Sequence, residues 1–199
     1  MTYIQPFRPL ILLLAILSAC AQPLLNSERI ERQFGSYGVE IVQSSASRRT
    51  SNLYSGVGEN RICRTLALVN FIDPQNTAVA AEHRQIVGGA SIGAVFKKNG
   101  WTISKVNVRL GTVTADSDAA TLGDLMDIPL PANLAMHAYR FELQRGQEHV
   151  HYATIIELHH PDYLSESRLR NLYAGLSFET PSEAEQTAIN LRVRQALLN

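Results

Sequence analysis

The chain has only two cysteines, Cys20 and Cys63, among its 199 residues. So few thiols exclude a disulfide-rich secreted scaffold, and the fold has to be stabilised by packing. Charged side chains are also scarce, at 18% of the chain, and 18 basic residues balance 18 acidic ones. Because a balanced charge produces no long-range field that would collect phosphates, nucleic acid is excluded as a leading partner.

Long hydrophobic runs are missing as well. The longest lies at residues 10–17, after a segment in which Arg8 is the only charge. As a helix this run would rise about 12 Å, whereas the hydrocarbon core of a bilayer is about 30 Å thick, so the run cannot span it. A short apolar run between a weakly basic start and small residues is typical of a cleavable secretory leader. We therefore expect residues 1–19 to be a signal peptide.

The end of this leader, Leu17-Ser18-Ala19-Cys20, resembles a lipobox, the processing motif of bacterial lipoprotein precursors. The resemblance implies that Cys20 receives a diacylglycerol and that the chain is cut before it. It also implies acylation of the new amino terminus, by palmitate for example, and two or more acyl chains hold a protein stably at a bilayer. Ala21 stands where an Asp would favour inner-membrane retention in Gram-negative bacteria. The resemblance thus implies outer-membrane anchoring, with the domain facing the periplasm, and leaves the domain itself undefined.

Without the leader, about 180 residues remain, enough for one domain with its own core. We expect residues 20–36 to form a lipidated tether and entry segment, with a helix around residues 26–34. Residues 37–199 then form a single periplasmic domain.

Apolar periodicity predicts the elements of this domain. Strands are expected at residues 37–42, 61–72 and 101–114. Residues 44–60 are expected to be a long loop, although Ser51-Asn-Leu-Tyr54 could form part of a strand. Helices are expected at residues 77–98, 117–126 and 169–176, and from the capping box Thr180-Pro-Ser-Glu183 to about residue 198.

Residues 133–160 predict a β-hairpin around Gly146-Gln147. In the predicted register Leu143 faces Val150, Glu142 faces His151 and His137 faces Ile156, which sorts apolar from polar side chains on both strands. Strands and helices do not alternate regularly, and one strand pair is antiparallel. The sequence therefore predicts an α+β fold, a largely antiparallel sheet with helices packed mainly on one face.

One candidate nucleophile is Ser91, because Gly89-Ala-Ser-Ile-Gly93 matches the G-x-S-x-G elbow of serine hydrolases. In an elbow the serine sits between a buried strand and a helix. Here the preceding residues favour a helix, so we interpret Ser91 as part of a Gly/Ala-rich helix. A lipid-anchored serine hydrolase remains the alternative function.

Two histidines form a second candidate site. His149 and His151 lie two residues apart on one predicted strand and could share a metal ion. Glu157 and His159 continue the same odd-numbered series, which the predicted register places on the solvent-exposed face. His137 falls on the apolar side. A periplasmic metal binder using His149 and His151 is therefore the third hypothesis.

Cys63 lies in a predicted buried strand and is interpreted as a small core residue, since no neighbour in the sequence would activate its thiol. We expect no cofactor. The preferred interpretation is a membrane-anchored envelope lipoprotein with a non-catalytic binding or assembly role. It would be held to the bilayer through Cys20, and its partner would be an envelope protein, peptidoglycan or a lipid.

Overall fold

The structure is a computed structural model that describes residues 24–198, so the predicted signal peptide and Cys20 lie outside the described residues. The strands are β1 (Gly38–Ser44), β2 (Arg48–Ser55), β3 (Ile62–Phe71), β4 (Thr102–Ala115), β5 (Ala132–Arg145) and β6 (Glu148–His159). The α-helices are α1 (Asn26–Phe34), α2 (Ala80–Val87), α3 (Ile92–Lys98), α4 (Ala120–Met126), α5 (Glu166–Leu172) and α6 (Glu183–Leu198).

The strands form one sheet in the order β1-β2-β3-β6-β5-β4, and every neighbouring pair is antiparallel. Two meanders, β1–β3 and β4–β6, are joined where β3 pairs with β6. This arrangement confirms the predicted α+β fold with an antiparallel sheet.

Helices cover both faces of the sheet, four on one side and two on the other. The face that carries Leu68, Met136 and Ile156 packs against α4 and α6. We call it the α4/α6 face. The opposite face packs against α1, α2, α3 and α5, through side chains such as Ile30 and Phe96. We call it the α1/α3 face.

Two helices show how local sequence sets their ends. The helix predicted at residues 26–34 is confirmed as α1, where the Glu28 carboxylate accepts the Leu25 backbone N–H at 2.8 Å. Gly35 ends this helix at φ 73°, a left-handed conformation that glycine adopts without strain. The last helix is also confirmed, but its cap is Ser182 and not Thr180. The Ser182 hydroxyl accepts the Glu185 N–H at 3.2 Å.

Two segments differ from their predictions. Residues 48–55, predicted as loop, form β2 in the interior of the sheet. The helix predicted at 77–98 is two helices, because the chain leaves α2 at Gly88 and Gly89 adopts φ 114°. The Arg49 guanidinium from β2 fills the break, donating to the carbonyls of Ile86 at 2.7 Å and Ala90 at 2.9 Å.

The hairpin of β5 and β6 follows the predicted register only near its turn. Leu143 pairs with Val150 and Glu142 with His151, as predicted. A β-bulge then shifts the register by one residue, so that His137 faces Glu157 and not Ile156. Because side chains alternate with period two, this shift moves the rest of β6 to the other face of the sheet.

Within residues 24–198, none of the helices combines the length and the hydrophobicity that crossing a membrane requires.

Candidate functional site

The bulge in β6 buries a carboxylate in the middle of the α1/α3 face. Glu157 is 3% exposed, and its Oε1 accepts the Tyr139 hydroxyl at 3.1 Å. Lys105, on β4, places its ammonium 4.3 Å from the centre of the Tyr139 ring. The prediction that Glu157 lies on a solvent-exposed face is therefore wrong, and the cause is the one-residue shift in register.

Two histidines flank the same carboxylate. The second oxygen of Glu157 lies 4.0 Å from His137 Nδ1 and 3.9 Å from His159 Nε2, and both rings are fully buried. The other nitrogen of each ring is hydrogen-bonded, in His137 to Asn107 Oδ1 at 3.0 Å and in His159 to the Thr65 hydroxyl at 2.9 Å. His159 was also expected to face solvent, and the same bulge corrects that prediction.

Burial dominates the electrostatics of this buried polar cluster. It lowers the pKa of His159 to about 4, against the opposing effect of Glu157, and lowers the pKa of His137 well below its usual value. Burial also lowers the pKa of Lys105 to about 8. For Glu157 burial alone would raise the pKa, but Lys105, His159 and Arg29 outweigh it, so the net pKa is lowered. At neutral pH the cluster thus holds an ionised carboxylate and two neutral imidazoles.

A different kind of site lies on the α4/α6 face, where α4 and α6 leave part of β1–β3 uncovered. There a groove of about 510 Å³ opens between the sheet and the carboxyl-terminal half of α6. Such a volume is in the range of small-molecule sites. Apolar side chains form much of its wall, namely Val42, Leu66, Leu68, Leu122, Leu125 and Ala196.

The charged groups of this groove are all basic. Arg48, Arg49 and Arg192 line it, with uncharged polar side chains such as Thr50 and Gln195, and no Asp or Glu is among the lining residues that the structure describes. Arg192 is 7% exposed, and its two terminal nitrogens donate to Thr50 Oγ1 at 3.2 Å and to Gln195 Oε1 at 3.4 Å. Its Nε is buried and has no hydrogen-bond partner in the described part of the chain. Burial, with the nearby charge of Arg48, lowers the pKa of this guanidinium.

Ser91 is the residue before α3, and it lines a small cavity that Lys105, Tyr139 and Glu157 of the buried polar cluster also line. The residues before it form α2 and a Gly-Gly-Ala connection, so the strand required by a nucleophile elbow is not present. The interpretation as part of a continuous helix is wrong too, because the helix breaks there. The small cavity has a volume of about 60 Å³ and lies on the α1/α3 face, and no histidine is among the described residues that line it.

His149 and His151 lie beyond the bulge and on the opposite face from Glu157 and His159. His149 is exposed and bonds to the Glu142 carboxylate at 3.1 Å. Across residues 24–198, no three His, Cys, Asp or Glu side chains are grouped so that they could hold a metal ion. His149 thus makes a cross-strand contact with Glu142, and His151 Nε2 is buried without a hydrogen-bond partner in the described part of the chain.

Cys63 is 3% exposed, and burial raises the pKa of its thiol to about 12. Because only the thiolate reacts, we predict that labelling of Cys63 in the folded protein is slowed at least roughly a hundredfold relative to the unfolded chain. The measurement is the rate of reaction with a maleimide at neutral pH, with and without denaturant. Rapid labelling of the folded protein would contradict a core position.

The groove was not predicted from the sequence, although one feature of the sequence indicates it. Ile189, Arg192, Val193 and Ala196 recur at helical spacing, so an arginine occupies a place in the buried stripe of α6. No protein-family model and no curated protein matches this chain. The functional argument therefore rests on the chain's own residues.

Proposed function

We propose that this chain is a lipid-anchored envelope lipoprotein with a non-catalytic binding role, whose ligand site is the groove on the α4/α6 face. The observation that carries the binding role is Arg192, a buried arginine whose Nε is unpaired among the described residues and which lines an open groove. A buried guanidinium without a carboxylate is costly, and an anionic ligand would offset that cost.

The anchoring part of the proposal rests on the sequence. Leu17-Ser18-Ala19-Cys20 resembles a lipobox, and the apolar run before it is too short to cross a bilayer. In this proposal the acylated Cys20 holds the chain at the periplasmic side of the outer membrane. The domain begins at α1, only a few residues after Cys20, so its ligand is expected close to the membrane surface.

We assign a structural role to the buried polar cluster on the α1/α3 face. Glu157, His137 and His159 are between 0% and 3% exposed, and the carboxylate is balanced by the charges of Lys105 and Arg29. The cluster is charge-compensated from within the fold, although Glu157 Oε2, His137 Nδ1 and His159 Nε2 are buried without a hydrogen-bond partner in the described part of the chain.

Replacement of Cys20 tests the anchor. We predict that Cys20→Ser abolishes incorporation of a metabolic palmitate label and leaves the uncleaved precursor, because the serine hydroxyl does not take the thiol's place in acylation. Gel mobility and membrane fractionation give the second readout. Cys63→Ser is the matched control, because Cys63 is buried in the domain and its loss should leave labelling unchanged. Normal labelling of Cys20→Ser would refute the anchor.

A further inference from the structure

We propose that the groove on the α4/α6 face binds a long-chain fatty acid, with its carboxylate at Arg192 and its acyl chain against the leucine wall. This inference rests on the proposed binding role and names its ligand class.

The shape and the lining of the groove fit such a molecule. Leu66 and Leu68 are 2% and 1% exposed and form the floor supplied by β3, and Leu122 and Leu125 from α4 form a wall. Val42 on β1 is 49% exposed at the groove. An acyl chain lying here would pack on the leucine floor and remove the exposed part of Val42 from water.

The polar end of the groove fits a carboxylate. Arg192 uses one terminal nitrogen on Thr50 at 3.2 Å and the other on Gln195 at 3.4 Å, and its buried Nε has no partner in the described part of the chain. Each terminal nitrogen carries a second N–H, so the guanidinium keeps donors for a carboxylate. Arg48, which is exposed at the same groove, adds positive charge at the entrance.

The charges at the groove favour an anionic ligand with one negative charge. Three arginines line the groove, Arg48, Arg49 and Arg192, but the guanidinium of Arg49 is bonded to the carbonyls of Ile86 and Ala90. Arg192 is then the buried guanidinium that one carboxylate would match, whereas a phosphate monoester carries up to two negative charges at neutral pH. A cation would meet these arginines and no acidic side chain among the described lining residues. A neutral apolar ligand would leave the charge of Arg192 without a counter-ion.

The test uses the full-length chain in membrane vesicles with a palmitate analogue that carries a photoreactive diazirine on its chain. After illumination, mass spectrometry maps the labelled peptides. We expect labelling within Ala120–Met126 or the carboxyl-terminal half of α6. Excess palmitate should compete, and hexadecanol or hexadecyltrimethylammonium at the same concentration should not. Hexadecyl phosphate is included to distinguish a phosphate-bearing lipid from a fatty acid.

Arg192→Met keeps the apolar stem and removes the charge, and we expect it to reduce labelling by about tenfold or more. Arg194→Met, exposed on the same helix, is the matched control and should label like the unaltered chain. Ala196→Phe leaves Arg192 in place and fills the groove, so labelling should also fall. This second variant decides the outcome if Arg192→Met does not fold.

Labelling that is competed equally by hexadecanol, that is unchanged in both groove variants, or that maps elsewhere would overturn the proposal. Stronger competition by hexadecyl phosphate than by palmitate would mean that the ligand is a phosphate-bearing lipid and not a fatty acid. Failure of groove labelling would leave the acylation of Cys20 untouched, whereas loss of the anchor would appear only in the Cys20→Ser experiment.

Discussion

Replacing Glu157 by Gln is expected to lower the free energy of unfolding by about 3–5 kcal/mol at neutral pH, the range seen when one partner of a buried charge pair is removed. Glu157 is the carboxylate that compensates the buried charge of Lys105 and the half-buried charge of Arg29, and its Oε1 accepts the Tyr139 hydroxyl. For a chain of this size the melting temperature should fall by roughly 6–20 °C. Thermal unfolding followed by circular dichroism and urea titration measure both quantities.

The matched control is Glu148→Gln on the same hairpin. Glu148 pairs with Arg145 at 3.2 Å, but both side chains are 40% exposed or more, so the change should stay within about 0.5 kcal/mol. If Glu157→Gln cost no more than this control, Glu157 would not be the compensating charge of the cluster.

The coupling between Glu157 and Lys105 can be isolated with a third variant. In Glu157→Gln/Lys105→Met the uncompensated ammonium is gone, so the double variant should lose less stability than the sum of the two single losses. Contacting charged residues differ from additivity by about 0.5–3 kcal/mol. Strict additivity would show that the carboxylate and the ammonium act independently.

The position of Glu157 shows where prediction from the sequence ends. Local signals such as caps, glycines and alternation predict the limits of α1, the hairpin turn and the first paired residues of the hairpin. The residues from Tyr152 to Ile156 are almost all apolar or small, so their pattern fits either register. Only the tertiary contacts of the α1/α3 face select the bulge, and with it the burial of Glu157.

The other differences have comparable causes. Residues 48–55 are rich in Ser, Arg and Asn, residues that favour loops, yet they form an interior strand because neighbours on both sides pair with them. Lys105 and Asn107 alternate with valines, a pattern that predicts a polar face on β4, whereas both are buried. In β4 the alternation is present, but helices that the sequence alone does not place cover the polar side.

The candidate groove could be predicted only in part. Arg192 occupies a position in the apolar stripe of α6, and an arginine at such a position predicts a buried charge. Its neighbours Thr50 and Leu66 come from strands more than a hundred residues earlier in the chain. A site assembled from such distant segments depends on the sheet order, and local patterns do not specify that order.

Lowering the pH is expected to destabilise the protein steeply through its buried histidines. His159 has a pKa of about 4 when folded, against an ordinary value of 6.5. Between these values the unfolded chain binds a proton that the folded chain does not, so the free energy of unfolding falls as the pH falls. The loss begins near the ordinary value and is complete below the folded one, at roughly 3 kcal/mol from His159 alone.

The neighbours of His159 act in the same direction. His137 also has a pKa well below its usual value, so it adds to the loss over the same range. The lowered pKa of Glu157 means that its protonation costs further stability at still lower pH. Lys105 and Arg29 stay protonated throughout this range and oppose protonation of His159.

Urea unfolding at a series of pH values between neutral and about 4 measures this dependence, and His159→Gln should flatten the profile because the group that titrates is gone. His149→Gln, an exposed histidine on the same strand, should leave the profile of the unaltered chain. A free energy of unfolding that rises as the pH falls would mean that the folded chain binds the proton of His159 more tightly than the unfolded chain, and Glu157, at 3.9 Å from its Nε2, would then be its ion-pair partner. A flat profile would mean that folding leaves the pKa of His159 unchanged, and either result would contradict a neutral buried imidazole. The sign of the pH dependence thus separates a neutral buried histidine from a buried ion pair in the cluster that the bulge in β6 creates.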